Sequence, residues 1–424
     1  MATRASNAGE RAACAGAADV LREFRRQVFG CLSRRGDALF ELADALLLAG
    51  PVPSLPHLSC EPIFRRSHGM IYQGLQKGRI DTAALRDVLV AHRPAGWPLV
   101  FGIDASTVAR PYAETSPDRE FHHHSCAGHT GSGDPVIKGW SWQWLSQLNF
   151  DADSWTAPQD ARRITRADAA AVTVEQIIAH ADRLREHGET GVPLYVMDAG
   201  YDEAPITHDL AEHLAQVQVL VRVRNDRVLY RDPPPRTAGR PGRPRRHSAD
   251  RFCCDDPASW GEPDQTHIGD DDRYGTMVVM SWGGLHPKLF CRGRFADFDT
   301  PPIIKGHLLR VTVERLPNGR TAPGPLWLWW AGPGQPDPNL CARAYLHRFD
   351  LEHTYRFAKT TLNWADPALR HPDQFDRWTW IVICVINQLR LARPLAEDHR
   401  HPWERRRATP RLSPGRIRRD FARL

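Results

Sequence analysis

The chain has 424 residues, of which 42% are hydrophobic and 25% charged, with a formal net charge of +6. Its longest apolar runs, residues 378–386 and 326–330, are far shorter than the roughly 20 residues that span a bilayer, and residues 1–30 lack the basic head and apolar stretch of a secretory signal. Nine cysteines without a Cys-x-x-Cys pair favour reduced thiols, so we expect a cytoplasmic protein of two or three domains and exclude secreted and membrane classes.

Residues 1–96 carry the pattern of a helical domain. Apolar residues recur at three- and four-residue spacing in residues 17–28, 36–48 and 82–91, with Gly and Pro between these segments. Basic side chains at Arg65 and Lys77 lie on a segment that could face a phosphate backbone. We therefore predict an N-terminal helical DNA-binding domain, with a plain helical bundle as the alternative.

Strands and helices alternate from residue 97 to residue 224, which is typical of an α/β sheet. Two apolar runs end in an acid, at Asp104 and at Asp198, as buried central strands do when they reach the edge of a sheet. Further elements are predicted as strands at residues 136–150 and 217–223 and as helices at residues 167–186 and 207–215.

Residues 225–338 interrupt this order with a Pro- and Gly-rich segment that we predict to be a β-rich insertion. The last apolar run, residues 326–330, is predicted to be a buried strand that returns the insertion to the main sheet. Helices are predicted at residues 340–362 and 374–391, within a second part of the core over residues 339–395. The strand candidates of the insertion are residues 227–230, 276–282, 288–291, 308–314 and 326–330.

The positive charge is concentrated in two segments. Residues 401–424 hold eight arginines and two acids, and residues 231–247 hold six arginines and one acid. This segregation favours two segments that contact a polyanion. The alternative is solvated loops in an arginine-biased chain, since lysine occurs only five times. We predict that residues 396–424 form a mobile arginine-rich arm or a disordered tail.

Asp104 and Asp198 suggest a metal site. Hard divalent cations take oxygen ligands, and carboxylates at adjacent strand ends can hold them. An aspartate at a strand end is also a common cap or turn residue, so this pattern alone leaves both readings open.

A second group of polar residues lies near the C-terminus on a predicted helix. Tyr345, Arg348, Glu352 and Lys359 fall at about 0°, 300°, 340° and 320° on a helical wheel, a stripe about 60° wide. A stripe without an aliphatic member is unusual for a surface that faces a core. The alternative is a solvated face with an ion pair between Arg348 and Glu352.

The spacing Tyr-x2-Arg-x3-Glu-x6-Lys resembles the signature around the third acid in a large group of bacterial insertion-sequence DDE transposases. Here it is met by Tyr345, Arg348, Glu352 and Lys359, and Asp104 and an Asp-x-Gly at Asp198 precede it in the expected order. The resemblance covers about residues 97–395. It implies a ribonuclease-H-like catalytic core split by the β-rich insertion.

The resemblance also implies a chemistry. Asp104, Asp198 and Glu352 would be the catalytic acids and would bind Mg²⁺, with Mn²⁺ as a possible substitute. Tyr345, Arg348 and Lys359 would contact DNA phosphates near the cleavage site. The enzyme would cut at the ends of a transposon and join the freed ends to target DNA.

Partners and alternatives follow from this resemblance. The partners would be double-stranded DNA, as terminal inverted repeats and as target, and a second copy of the chain in a homodimer or larger assembly, associated with the nucleoid when bound. Two alternatives stay open: a non-catalytic DNA-binding protein, decayed or domesticated, and a stand-alone ribonuclease-H-like nuclease. Whether a hairpin intermediate forms is also open.

The insertion holds a further candidate DNA contact. Residues 239–246 resemble the Arg-Pro core of hooks that enter the minor groove, where arginine is electrostatically favoured. A flexible basic loop with non-specific phosphate contacts is the alternative. The DNA-binding candidates in this segment are Arg240, Arg243, Arg245 and Arg246.

Overall fold

The computed structural model describes residues 2–123, 136–235, 244–321, 324–404 and 412–424. The helices are α1 (Ala2–Gly30), α2 (Gly36–Leu48), α3 (His68–Lys77), α4 (Thr82–Ala91), α5 (Ala169–Glu186), α6 (Glu203–Asp209), α7 (Pro338–Arg348), α8 (Asp350–Thr360), α9 (Pro372–Ala392) and α10 (Pro414–Asp420). The strands are β1 (Val100–Ala109), β2 (Glu120–His123), β3 (Val136–Leu148), β4 (Thr156–Ile164), β5 (Leu194–Met197), β6 (Gln218–Val223), β7 (Val228–Tyr230), β8 (Arg251–Cys253), β9 (Gln265–Asp271), β10 (Gly275–Leu285), β11 (Gly306–Val313) and β12 (Leu326–Ala331).

Ten strands form one mixed sheet in the order β2-β3-β1-β5-β6-β12-β11-β10-β9, and β4 also pairs with β3. The neighbours β1, β5 and β6 run parallel to one another, whereas the other pairs are antiparallel. All four residues of β5 are buried, because helices cover both faces of the sheet at this point. This mixed α/β architecture agrees with the predicted fold class.

The insertion is continuous with the main sheet. Strand β12 pairs antiparallel with β6, and five of its six residues are buried. The prediction of a buried returning strand at residues 326–330 is confirmed. A run such as Leu326-Trp-Leu-Trp-Trp330 is apolar on both faces, so it is stable only where both faces are covered.

Three predicted elements differ from the structure. Residues 288–291 form no strand, and Pro287 just before them has no N–H to donate to a ladder. The helix expected at residues 207–215 begins earlier, because the Asp202 carboxylate accepts a hydrogen bond from the Ala204 N–H as an N-cap. The helix expected at residues 340–362 is two helices, α7 and α8, which meet at Phe349.

The N-terminal helices share one apolar core with α9. Buried side chains such as Phe24, Leu39 and Leu85 belong to the same cluster as Ile383 and Trp378 of α9. Residues 2–91 contain the helices α1 to α4. These helices pack directly on the C-terminal part of the chain. Their role as a separate DNA-binding domain stays a prediction.

The C-terminal residues 412–424 are packed, so the predicted mobile arm is wrong for them. Ile417 is fully buried, and the Arg418 guanidinium donates hydrogen bonds to the carbonyls of Leu46 at 2.8 Å and Gly50 at 3.0 Å. These bonds satisfy the otherwise unpaired carbonyls at the end of α2. Residues 405–411 lie outside the described residues. Among the described helices, none is both long and apolar enough to cross a membrane.

A buried ion cluster joins the end of α7 to the turn between β9 and β10. His347 is 1% exposed, and its Nδ1 lies 3.4 Å from the Asp350 carboxylate while its Nε2 lies 3.8 Å from that of Asp271. Arg273 donates to Asp350 at 3.0 Å. Although burial alone would lower the pKa of His347, the two carboxylates outweigh it and raise the pKa.

We expect this cluster to make stability depend on pH. A histidine whose pKa is raised by folding stabilises the folded state fully below its unfolded pKa, and this contribution disappears as the pH rises through the folded pKa. The stability advantage of the wild type over His347→Gln, on the order of 1 kcal/mol, should thus be larger at pH 6 than at pH 9 in urea denaturation. An advantage that grows with pH would contradict the assignment.

Candidate functional site

Strands β1 and β5 place the two predicted aspartates side by side. In the parallel pair, Gly102 lies opposite Val196, and continuing this register by two residues sets Asp104 beside Asp198. Side chains alternate along a strand, so Asp104 shares the face of Gly102, which packs under α8 at Leu351. Asp198 directly follows the last residue of β5, whereas Asp104 lies within β1, which continues to Ala109 in its pairing with β3. Both acids lie just beyond the end of the parallel pairing of β1 with β5, below α8.

Helix α8 brings Glu352 to the same region. The Tyr355 hydroxyl, one turn further along α8, donates a 2.6 Å hydrogen bond to the backbone carbonyl of Asp104. This bond ties the helix to β1. Glu352 is exposed and its charge acts on Asp104. The three predicted acids are thus brought to one region, although their catalytic role stays a prediction.

Arg348 is the cation of this region. Its Nη1 lies 3.5 Å from the Asp104 carboxylate, and the residue is only 8% exposed. Its Nε and Nη1 have no hydrogen-bond partner. A buried guanidinium with free donors is costly unless a ligand or a nearby charge compensates it. The Asp104 carboxylate next to it is the charge that compensates the buried Arg348 guanidinium.

The electrostatics of Asp104 reflect its burial first and the neighbouring acids second. Together, burial and the charges of Asp198 and Glu352 raise the pKa of Asp104 to about 6, although Arg348 and the Ala105 N–H oppose this change. The Arg348 pKa is also raised, because Asp104, Tyr345 and the other acids outweigh the effect of its own burial. A buried carboxylate with a raised pKa beside other charged groups is typical of functional sites.

Tyr201 is a member of the site that the sequence analysis missed. Its hydroxyl donates to the Gln143 side chain at 2.8 Å, and Gln143 in turn donates to Gln176 at 2.8 Å. Burial raises the pKa of Tyr201 well above its usual value, and the neighbouring Asp104 and Asp198 add to this effect. The tyrosine anchors the loop after Asp198, in which the Gly200 N–H donates to the Asp198 carboxylate at 2.8 Å.

The predicted stripe of four polar residues is divided between two helices. Tyr345 and Arg348 belong to α7 and are buried, whereas Glu352 and Lys359 belong to α8. The single continuous helix was a wrong prediction. The break contains no Gly or Pro. It adjoins Asp350, the first residue of α8, whose carboxylate pairs with Arg273 and with His347 of α7. The alternative of a solvated face is also wrong, since Arg348 is buried and forms its ion pair with Asp104.

The arginines of the insertion are not brought to the acids by any described contact. Arg240 and Arg243 lie outside the described residues. Arg246 donates to the Pro301 carbonyl at 2.5 Å, and Arg245 is exposed. Their contact with DNA stays a prediction.

The donor set suits a hard divalent cation by its chemistry. Carboxylate oxygens are the preferred ligands of such ions, and the mutual repulsion of Asp104, Asp198 and Glu352 would be relieved by one. As the side chains stand, no group of three His, Cys, Asp or Glu residues in the described ranges is close enough to hold a metal ion. Arg348 provides the positive charge beside Asp104 in this arrangement.

Gly102 permits the close approach of α8 to β1. A Cβ at this position would lie 2.7 Å from the Leu351 Cδ1 and 3.1 Å from the Leu148 Cδ2. We expect Gly102→Ala to lower the free energy of unfolding by about 1–3 kcal/mol through overpacking, as measured by urea denaturation. Gly96→Ala is the matched control, because nothing lies within 4 Å of its Cβ position. Equal stability of the two variants would contradict the close packing.

Comparison with known proteins identifies a family and a set of distantly similar structures. A family model described as DDE superfamily endonuclease matches residues 27–288. Among solved structures, a cryo-EM structure of the piggyBac transposase synaptic complex with hairpin DNA matches with a TM-score of 0.37 and 10% identity, over 83% of this chain and 64% of that one. Likeness at this level does not establish a shared fold. A search of curated proteins found no match.

Proposed function

Since the chain belongs to the DDE superfamily endonuclease family, whose model covers more than half of it, we propose that it is a DNA transposase. It cleaves phosphodiester bonds at transposon ends and joins the freed ends to target DNA. The observation that carries this proposal is the pair Asp104 and Asp198 just beyond the parallel pairing of β1 with β5, with Glu352 above them on α8 and the buried Arg348 3.5 Å from Asp104.

We propose a ribonuclease-H-like core over residues 97–224 and 339–395, with residues 225–338 as its insertion. The mixed sheet with parallel β1, β5 and β6 supports this division, and so does the position of α8 over the ends of these strands. Residues 1–96 would bind transposon-end DNA, and residues 396–424 would form a C-terminal extension. The partners would be double-stranded inverted repeats, target DNA and a second copy of the chain, near the nucleoid of a bacterial cytoplasm.

Asp104, Asp198 and Glu352 would hold Mg²⁺, or Mn²⁺ in its place. When bound, such ions activate water or a 3′-hydroxyl and stabilise the leaving oxygen of a phosphodiester. The chain's own residues orient the substrate. Arg348, which lies beside Asp104, contacts a phosphate oxygen of the DNA.

The remaining signature residues act around this centre. Tyr345 packs its ring 5.6 Å from the Arg348 guanidinium and holds that side chain in place. Lys359, in the last turn of α8, contacts a neighbouring phosphate. Tyr355 keeps Glu352 in register with Asp104 through its bond to the Asp104 carbonyl. These contacts position the DNA strand, whereas Asp104, Asp198 and Glu352 are the catalytic residues.

The test is a cleavage and strand-joining assay with Mg²⁺ on DNA that carries the inverted repeats flanking the gene. Wild type is compared with Glu352→Gln, which removes the charge and keeps the shape. Nicks at the repeat ends together with joined products, both lost in the variant, would establish the transposase. Nicks without joining would favour a nuclease, and tight repeat binding without cleavage would favour a non-catalytic DNA-binding protein.

Lys359→Ala is expected to separate strand positioning from metal binding. Because Lys359 is a phosphate contact in this proposal and not a metal ligand, cleavage should fall by roughly 10- to 100-fold while Mn²⁺ affinity in a calorimetric titration stays unchanged. Lys305→Ala is the control for loss of one lysine, because Lys305 pairs with Asp232 on the surface of the insertion and has no role in the proposal. Loss of Mn²⁺ affinity in Lys359→Ala would contradict the assigned role.

A further inference from the structure

The turn between β9 and β10 of the insertion contacts the junction of α7 and α8. This turn spans residues 272–274. The Tyr274 hydroxyl donates a 3.1 Å hydrogen bond to the Leu346 carbonyl in the last turn of α7. On the other side of the junction, Arg273 pairs with Asp350, the first residue of α8. Consecutive residues of one turn therefore hold both helix ends that meet at the junction.

Arg273 connects three segments of the chain. Its Nη1 donates to both carboxylate oxygens of Asp350, at 3.0 Å and 3.1 Å. Its Nη2 donates to the backbone carbonyl of Asp151 at 2.9 Å and to that of Asp153, in the loop between β3 and β4. The Arg273 side chain is 15% exposed and that of Asp350 is 1% exposed. Because a guanidinium presents its donors in a rigid planar fork, these bonds fix the side chain in one orientation.

The conformation of the turn is fixed by Asp271, the last residue of β9. Its carboxylate accepts hydrogen bonds from the N–H groups of Arg273 at 2.8 Å and Tyr274 at 3.2 Å. The side chain of His347 and these N–H groups lower the pKa of Asp271 to about 2, so the carboxylate is charged at neutral pH. The backbone of Arg273 is therefore held by bonds within the insertion as well as by its contact with α8.

Glu352 lies between two fixed points of α8. Two residues before it, Asp350 is bound by Arg273. Three residues after it, the Tyr355 hydroxyl donates to the Asp104 carbonyl at 2.6 Å. Glu352 is itself exposed, so the helix backbone determines where its carboxylate lies. A shift of Asp350 would displace the first turn of α8, and Glu352 belongs to that turn.

We propose that Arg273 is a positioning residue through which the insertion determines the place of Glu352. It acts by holding Asp350 at the start of α8 and is not itself a metal ligand. The inference rests on the proposed function for the role of Glu352, and it adds a function for the insertion, namely support of the third acid. Without Arg273, the buried Asp350 carboxylate has one cation fewer beside it. A buried charge without compensation is costly, so the start of α8 would shift toward water.

The first test is the Mn²⁺ affinity of Arg273→Gln, measured by calorimetric titration without DNA. Replacing a residue that orients metal ligands typically costs about 10- to 100-fold in metal affinity, and we expect a loss in this range. Coulomb's law alone predicts the opposite sign, because removal of a positive charge near the acids would strengthen Mn²⁺ binding. Cleavage at low Mn²⁺ should also fall, and it should recover in part at saturating Mn²⁺.

Arg93→Gln is the matched control for loss of a paired arginine. The Arg93 side chain is 17% exposed and pairs with Glu189, which precedes β5 and so lies at the end of that strand opposite to Asp198. This variant should keep the Mn²⁺ affinity of the wild type. Arg273→Lys keeps the charge but lacks the planar fork, so its Mn²⁺ affinity should lie between those of the wild type and Arg273→Gln.

A double-mutant cycle with Asp350→Asn tests the path of the effect. Because Arg273 acts through Asp350, adding Arg273→Gln to Asp350→Asn should weaken Mn²⁺ binding by no more than about a further twofold. The bonds of Arg273 to the carbonyls of residues 151 and 153 are still lost in the double variant, so its free energy of unfolding should fall further. Additive losses of Mn²⁺ affinity would contradict the proposal.

The second test is hydrogen exchange of the backbone amides of α8, measured by mass spectrometry without metal or DNA. Exchange in α8 should be faster in Arg273→Gln than in the wild type and Arg93→Gln, whereas exchange in α5 should be the same in all three. Unchanged exchange in α8, or wild-type Mn²⁺ affinity in Arg273→Gln, would overturn the proposal. If the glutamine variant does not fold, the same criteria apply to Arg273→Lys. Failure of the proposed function would look different: the wild type would not cleave DNA with Mg²⁺, yet the faster exchange in α8 would persist.

Discussion

Asp104→Asn is expected to reduce DNA cleavage by a factor of at least about 10³ while the protein stays folded. In the proposed mechanism, a metal ion held by Asp104 would lower the barrier by several kcal/mol, and about 1.4 kcal/mol corresponds to tenfold in rate. Asn is nearly isosteric and can still accept the 2.9 Å hydrogen bond from the Ala105 N–H. The Tyr355 bond to the Asp104 backbone is also kept. The loss therefore reports the carboxylate charge and not the local structure.

The measurement is single-turnover cleavage of repeat-end DNA with Mg²⁺, together with thermal melting of each variant. Asp182→Asn is the matched control, because Asp182 is an exposed carboxylate on α5 that pairs with Arg185 of the same helix and has no role in the proposed chemistry. It should cleave within about twofold of wild type. If Asp104→Asn cleaved within tenfold of wild type, Asp104 would not be a catalytic acid.

The candidate acids could be predicted from sequence because burial restricts what a central strand contains. An apolar run covered on both faces excludes a carboxylate until that cover ends. Asp198 follows the end of β5 as predicted, whereas the prediction of a strand end at Asp104 is wrong, because β1 continues to Ala109. Glu352 came instead from the resemblance of residues 345–359 to a family signature, since the continuous helix assumed for their spacing is divided into α7 and α8.

Other features depend on contacts between distant segments. The helix break at Phe349 has no local signal, since Phe349 keeps helical dihedral angles and the adjoining Asp350 is held by Arg273, 77 residues earlier. Arg222 lies beside Asp198 because Met197 of β5 pairs with Val221 of β6. This register cannot be predicted from either strand's sequence alone. In the sequence, Tyr355 is indistinguishable from an ordinary core residue. Its role depends on the hydrogen bond to the Asp104 carbonyl of β1, which only the tertiary structure reveals. The parts of the site that sequence missed are therefore those that connect its elements.

The site rests on an aromatic cluster between β3 and α8. Trp364 is fully buried, and its ring lies 5.0 Å from that of Trp144 and 6.0 Å from that of Tyr355, whose hydroxyl holds Asp104. The Trp364 indole N–H donates to the Thr379 hydroxyl at 3.0 Å. Stability and catalytic geometry are therefore coupled through the same side chains, because the cluster supports the tyrosine that links α8 to β1.

Trp364→Ala is accordingly expected to lower the free energy of unfolding by about 3–5 kcal/mol, the usual cost of a large cavity in a core, as measured by urea denaturation followed by circular dichroism. Cleavage should fall as well, since Tyr355 loses its stacked neighbour. Trp403→Ala is the control: its side chain is 80% exposed, so its loss should cost less than about 0.5 kcal/mol. A loss below about 1 kcal/mol for Trp364→Ala would mean that the cluster repacks around the cavity. Intact cleavage in a destabilised variant would instead mean that the Tyr355 bond to Asp104 holds α8 in place without this support.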